Sequence, residues 1–349
     1  SATPAEAFNP ANFVATYHYP NDSIPQPWPE PELVGNSRDS LVQPPALSQK
    51  AIAVVTADKL FIHSLGQKKP EQIPLETPPT TAPISDGRSF FYGAQDKIAA
   101  VNSQGKEVWS LKVSGSPLGA SSVVENKLLY SLENEQGGRL LCLDPIDGEI
   151  LWEQALASPP ASGPVVGNVK SQQTVVVLDQ QGEARAFALE NGANLWTHKL
   201  NDPTFLPPAA GYGKLAVTYP TGEVVLLSLE EGKRVWEVAL GSALAASPTL
   251  IESGVLVPSK DTYLYLLALD TGDISWKTRL SQTISEPAVI AGEQIVQSDE
   301  GGKIHTLGVD GTLLSTVEAT NSWVSRVVPF AGRWAIGDSS GAYRVYSGS

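Results

Sequence analysis

The sequence predicts an all-β fold: an eight-bladed β-propeller of four-stranded antiparallel blades, its ring closed by an N-terminal strand. Three observations carry that prediction. Tryptophans recur at Trp109, Trp152, Trp196, Trp236 and Trp276, separated by 43, 44, 40 and 40 residues, and each stands four positions after a glycine. From about residue 50 onward, short β-rich runs such as VVVLD, EVVLLSLE and QIVQSD alternate with Gly, Asp and Pro turn signals. A hairpin of two such runs recurs eight times, at 51–65, 89–101, 127–143, 174–189, 214–229, 254–269, 293–309 and 333–346. A period of about 40 residues is the mark of stacked or radial repeats. Seven blades would follow if either terminal unit were incomplete.

Taken in order, residues 1–45 read as an N-terminal strand and a proline-rich arm, and 46–349 as a single propeller domain. Within the arm, FVATYHY (Phe13 to Tyr19) alternates as a strand does, and the prolines between Pro20 and Pro45 hold the chain extended. Each later unit opens on a proline, at Pro83, Pro117, Pro164, Pro208, Pro248, Pro287 and Pro329. Such a residue is tolerated on an edge strand, here the innermost strand a. Strands b and c form the recurring hairpin. The turn from c to d holds a glycine that supplies positive φ, and d carries the tryptophan. A small residue on c (Ser64, Ala100, Cys142, Ala188, Ser228, Ala268, Gly308) is expected to make room for the neighbouring blade's tryptophan. The last unit ends after its c strand, so Phe13 to Tyr19 is expected to supply the missing d strand. Closure of that kind removes exposed sheet edges.

Composition narrows the function classes. Acidic residues exceed basic ones by 37 to 24, a net charge of -13, which repels phosphate backbones and makes nucleic acid an unsuitable partner. The longest apolar run, Ala51 to Val55, is far too short for a transmembrane segment. One cysteine, Cys142, excludes an intramolecular disulfide and multi-cysteine metal sites, and it reads as a buried structural thiol. The four histidines fall in different units without metal-site spacing, and no nucleophile elbow or phosphate loop is present.

The segment SPTLIESGVLVPSKDTYLYLLALDTGDISW (Ser247 to Trp276) resembles the PQQ-like repeat. With its length, eight units, few cysteines and proline-rich arm, the chain is similar to the BamB family, lipoprotein scaffolds of outer-membrane β-barrel assembly. That resemblance implies a non-catalytic, periplasmic or otherwise extracytoplasmic scaffold, a monomer by itself. It would bind a protein partner, such as an outer-membrane assembly factor, and carry no cofactor and no metal. A lipid anchor upstream of Ser1 would fit it. Quinoprotein alcohol dehydrogenases share the repeat, but they are longer and their quinone pocket uses a vicinal disulfide that a single cysteine cannot form. A quinone- or sugar-binding enzyme is the alternative, and a cell-surface sensor or a subunit of a membrane-associated complex is another.

Among candidate site residues, the five tryptophans read as structural blade packing. The candidates for partner binding lie on the face made by the b–c turns and d–a connections. Phe205 and Leu206 occupy a d–a loop, and Trp323 is out of register with the packing tryptophans. Acids occupy seven of the eight b–c turns, with Asp179, Asp261, Asp299 and Asp338 among them, so this face is expected to be negative and to attract a basic partner. Asp is also simply a good turn-former, which accounts for the same pattern without a partner.

Overall fold

The computed structural model describes residues 17–19, 22–41 and 43–348. Among the described residues, thirty-three strands form eight sheets, each built on four antiparallel strands. Blade 5 is representative: a is Ala209–Gly211, b is Lys214–Thr218, c is Glu223–Ser228 and d is Arg234–Ala239. Its b and c strands are buried nearly throughout, because each of their faces meets a neighbouring blade. The d strands at the rim alternate, as in Ile274–Arg279 of blade 6. Hydrophobic burial is divided into eight clusters, each straddling two consecutive blades. The core is therefore a ring of joints.

Five of those joints share one construction. Trp109, Trp152, Trp196, Trp236 and Trp276 donate their indole N–H to a carbonyl in the next blade's c–d turn, at Pro145, Leu189, Leu229, Leu269 and Val309, over 2.8–3.1 Å. The ring lies flat on that turn's glycine. At Gly148, where φ is +76°, an added Cβ would sit 2.5 Å from Trp109 Cε3, so glycine is required there for conformation and for space. Gly192, Gly232, Gly272 and Gly311 are covered in the same way. The expectation that the small residue on strand c receives the tryptophan is corrected by this geometry. Ala188, Ser228 and Ala268 instead frame the turn, their carbonyls accepting from Gly192, Gly232 and Gly272 N–H.

Ring closure differs in detail from the expectation. The d strand of blade 8 is Leu33–Asn36, antiparallel to Ala342–Ser347, rather than Phe13 to Tyr19. Residues 13–16 lie outside the described residues, and His18–Tyr19 runs parallel to Val289–Ala291, the innermost strand of blade 7. The reason lies in the joint between blades 7 and 8. Ser315 occupies the place of the tryptophan there, leaving a groove that residues 22–32 fill on their way from channel to rim. Ser315 donates to Gln26, Gln26 donates to Thr306, Ile24 exchanges two hydrogen bonds with Gln294, and Trp28 sets its edge against Trp334 and Tyr346. Asp22 accepts from Gly332 N–H and Glu32 pairs with Arg333, pinning both ends of this strap.

The joint between blades 8 and 1 also lacks tryptophan. Leu33 stands in its place, and Gly35 stands where Gln154 and Thr278 of other blades reach across to the next turn. The Tyr343 ring fills the space a side chain at 35 would need, and its hydroxyl is hydrogen-bonded to His63 Nδ1 over 2.8 Å. His63 Nε2–H then donates to the Gln67 carbonyl, which can only accept.

If the tryptophan joints hold the ring, Trp236→Ala removes a side chain that is only 8% exposed together with its bond to Leu269. Equilibrium denaturation should show a loss of about 3–5 kcal/mol, the range for emptying a buried aromatic site. Trp323→Ala, where the ring is half-buried and outside the joints, should cost far less.

Candidate functional site

The d–a connections are built on one frame and then decorated. Connectors 200–208, 240–248, 280–288 and 319–327 each turn inward at an equivalent mid-loop position, at Thr204, Leu244, Ile284 and Val324, and all four residues are buried. Phe205, the next residue in the first connector, points outward and is 62% exposed. Among the described residues no other Phe or Trp is classed as exposed. Leu206 folds back half-buried onto the cluster between blades 5 and 6. Trp323 is half-buried, and its carbonyl accepts from Ser339 N–H in the b–c turn of blade 8. Phe205 thus lies between blades 4 and 5 and Trp323 between blades 7 and 8. The two share a face but stand three blades apart.

Three of the b–c turn carboxylates, Asp179, Asp299 and Asp338, face inward where the charge pattern suggested an open negative face. Asp179 and Asp338 each accept two backbone N–H bonds within their own turns, at Gln181 and Glu183 and at Ser340 and Ala342, and both are buried. Asp179 also lies 3.6 Å from Arg185. Asp299 accepts from Gly301 and Lys303 N–H and from Ser281. Asp261 keeps a partly open position, accepting from Tyr263 N–H and the Tyr265 hydroxyl, and the turn acids Asp58, Asp96 and Glu135 are exposed. The oxygens of Asp179, Asp299 and Asp338 are spent on shaping turns, so these three acids offer little charge to an approaching partner.

Ser281, His305 and Asp299 lie together on this face, which invites comparison with a nucleophile relay. The bonding pattern differs. In a relay, serine meets one ring nitrogen and aspartate the other. Here Ser281 Oγ donates to Asp299 at 2.7 Å, the same Asp299 oxygen meets His305 Nε2 at 2.8 Å, and Nδ1 is occupied by Thr316. Burial pushes the Asp299 carboxyl up, but the bonds from His305, Ser281 and Lys303 outweigh it and hold the group below its usual range. The cluster ties strand c to the connector of its own blade. Among the described residues no group of three or more His, Cys, Asp or Glu side chains converges to hold a metal ion.

One pair escaped the sequence reading. Leu206, Ala246, Glu286 and Arg326 are equivalent by their 40-residue spacing, and at the last two the apolar residue is replaced by opposite charges. Glu286 is buried 3.8 Å from Arg326 Nη1 and accepts from Arg326 N–H, while the Arg326 guanidinium lies over the Tyr17 ring at 5.0 Å. Burial raises the Glu286 carboxyl to about 7 against the opposing pull of Arg326. The signal was present as a charge exchange in an aligned column, but it needed the correct alignment of connectors to be seen.

With this geometry in place, comparison with known proteins is informative. The family described as outer membrane protein assembly factor BamB matches over residues 56–206, 94–243 and 220–329. No curated protein matches. Among solved structures, BamB from Moraxella catarrhalis superposes with a TM-score of 0.69 at 17% identity, covering 90% of this chain and 100% of that one. The computationally designed Ika8 protein gives 0.74 at 15% identity over 89% and 97% of the two chains, and Saccharomyces cerevisiae Sqt1 gives 0.73 at 10% over 95% and 99%. At these identities the likeness shows the fold alone.

Two expectations follow from the buried groups. A carboxyl raised above its unfolded value binds its proton more tightly in the folded state, so its stabilising contribution is complete below the unfolded value of 4.5 and is lost as pH rises through about 7. Thermal unfolding between about pH 4 and 8 should show a decline on the order of 3 kcal/mol that Glu286→Gln removes. Cys142 is fully buried and its thiol is pushed up to about 12 by desolvation, so iodoacetamide should label it only after denaturation.

Proposed function

The chain belongs to the family described as outer membrane protein assembly factor BamB, and on that premise we propose that it is a non-catalytic scaffold that binds a protein partner through one face of the ring. Phe205 is the observation that carries the docking reading. An aromatic ring left 62% exposed at the tip of a rigidly framed loop gives a partner a large apolar contact that loses little conformational freedom on binding. Leu206 backs the loop from below, and Asp261 and Trp323 lie on the same face.

In this reading the partner is an outer-membrane assembly factor and the setting is extracytoplasmic, at the periplasmic side of the envelope, with the protein held there as a lipoprotein. The family membership supports each of these assignments. No helix among the described residues is long and apolar enough to cross a membrane. The propeller's part is geometric. Eight blades hold the connectors at fixed angles, so a partner meets a preorganised surface and binding orders few side chains.

Recovery of envelope proteins on immobilised wild type should be compared with recovery on Phe205→Ala and Trp323→Ala. Loss of a specific envelope protein on Phe205→Ala, with unchanged thermal stability, supports the docking face. Equal recovery on all three contradicts it.

A further inference from the structure

The two joints that flank blade 8 both lack tryptophan, but only one is filled. The strap of residues 22–32 occupies the joint between blades 7 and 8. Between blades 8 and 1 a cleft of about 570 Å³ remains open. Its origin is legible residue by residue. Leu33 replaces the tryptophan, and Gly35 contributes no side chain. In the facing turn of blade 1, Gln67 rather than glycine closes the turn onto the Ser64 carbonyl, and at the neighbouring Gly66 an added Cβ would meet nothing within 4 Å.

The charge of this cleft runs against that of the molecule. In a chain of net charge -13, Arg38, Lys59, Lys68 and Lys69 line it together with a single carboxylate, Asp39. Among the described residues none of the four cations forms an ion pair, whereas Lys170, Lys233 and Arg333 do. At the base of the cleft, Tyr343 and His63 bond to each other, and neither supplies a carboxylate to offset the cations.

We propose that the cleft between blades 8 and 1 binds an extended, acidic peptide segment of a partner protein. Two features favour an extended chain over a compact anion. The wall formed by Leu33–Asn36 is an edge strand with no further strand beside it among the described residues, so its outer backbone groups can pair with an added strand. Val34 on that strand is 60% exposed and supplies an apolar contact. A compact anion would call for converging buried donors, and no lining residue has a buried polar side-chain atom without a partner. Lys68 and Lys69, on the opposite wall, supply positive charge for carboxylates of the added chain. This site is separate from the Phe205 face and does not depend on it.

The test is fluorescence anisotropy with a labelled peptide alternating Val and Glu, against wild type, Lys68→Glu with Lys69→Glu, and Lys106→Glu with Lys112→Glu as a control for exposed lysines of blade 2. The peptide should bind wild type and the control pair alike, and weaken roughly tenfold or more in the Lys68 and Lys69 pair and at raised salt. Lys68→Gln with Lys69→Gln should give a smaller loss in the same direction, with thermal midpoints confirming that every variant is folded. A peptide alternating Val and Lys should not bind. The proposal is overturned if the Glu peptide fails to bind wild type, if it binds the Lys68 and Lys69 variants undiminished, or if inorganic phosphate alone binds in its place.

Discussion

A tryptophan ring laid on the glycine of the next blade's turn is the contact on which this ring depends. It couples three requirements at one point: a buried aromatic surface, an indole N–H that needs an acceptor, and a turn that can bear neither a Cβ nor a negative φ. Because the acceptor is a carbonyl of the same turn, each joint fixes both the spacing and the tilt of the following blade. Repeated from Trp109 to Trp276, it ties blades 2 to 7 into an arc.

What the arc does not supply is closure. The series is interrupted by Glu71 between blades 1 and 2 and by Ser315 and Leu33 on either side of blade 8, and the N-terminal segment works at the two beside blade 8. It fills one groove as a strap, completes blade 8 as Leu33–Asn36, and leaves the second groove open above the Tyr343 and His63 pair. Function in such an architecture gathers where the repeat is broken, because a residue that must seal a joint is not free to meet a partner.

The repeat was readable from sequence because its signals are local. A glycine, a tryptophan four residues later and a fixed period need no knowledge of distant contacts, and the eight b–c hairpins follow from alternation and turn residues alone. The closing strand was misplaced for the complementary reason. Phe13 to Tyr19 alternates better than Leu33–Asn36, and which of them pairs with Ala342–Ser347 depends on contacts more than 300 residues apart in sequence. The acids of the b–c turns were visible as charges. Whether Asp299 faces solvent or His305 is decided by side-chain direction, which the sequence does not carry. The Glu286 and Arg326 pair and the basic cleft share that character, since each arises from residues that are unremarkable in their own unit and meet only across a joint.

Amide hydrogen exchange on the free protein tests the central claim, that the N-terminal segment closes a ring of tryptophan joints. The account predicts that amides of Leu33–Asn36 bonded to Ala342–Ser347 exchange about as slowly as those bridging Glu223–Ser228 and Arg234–Ala239 in blade 5. Exchange of Leu33–Asn36 at the rate of an open loop, with blades 2 to 7 still protected, would contradict it.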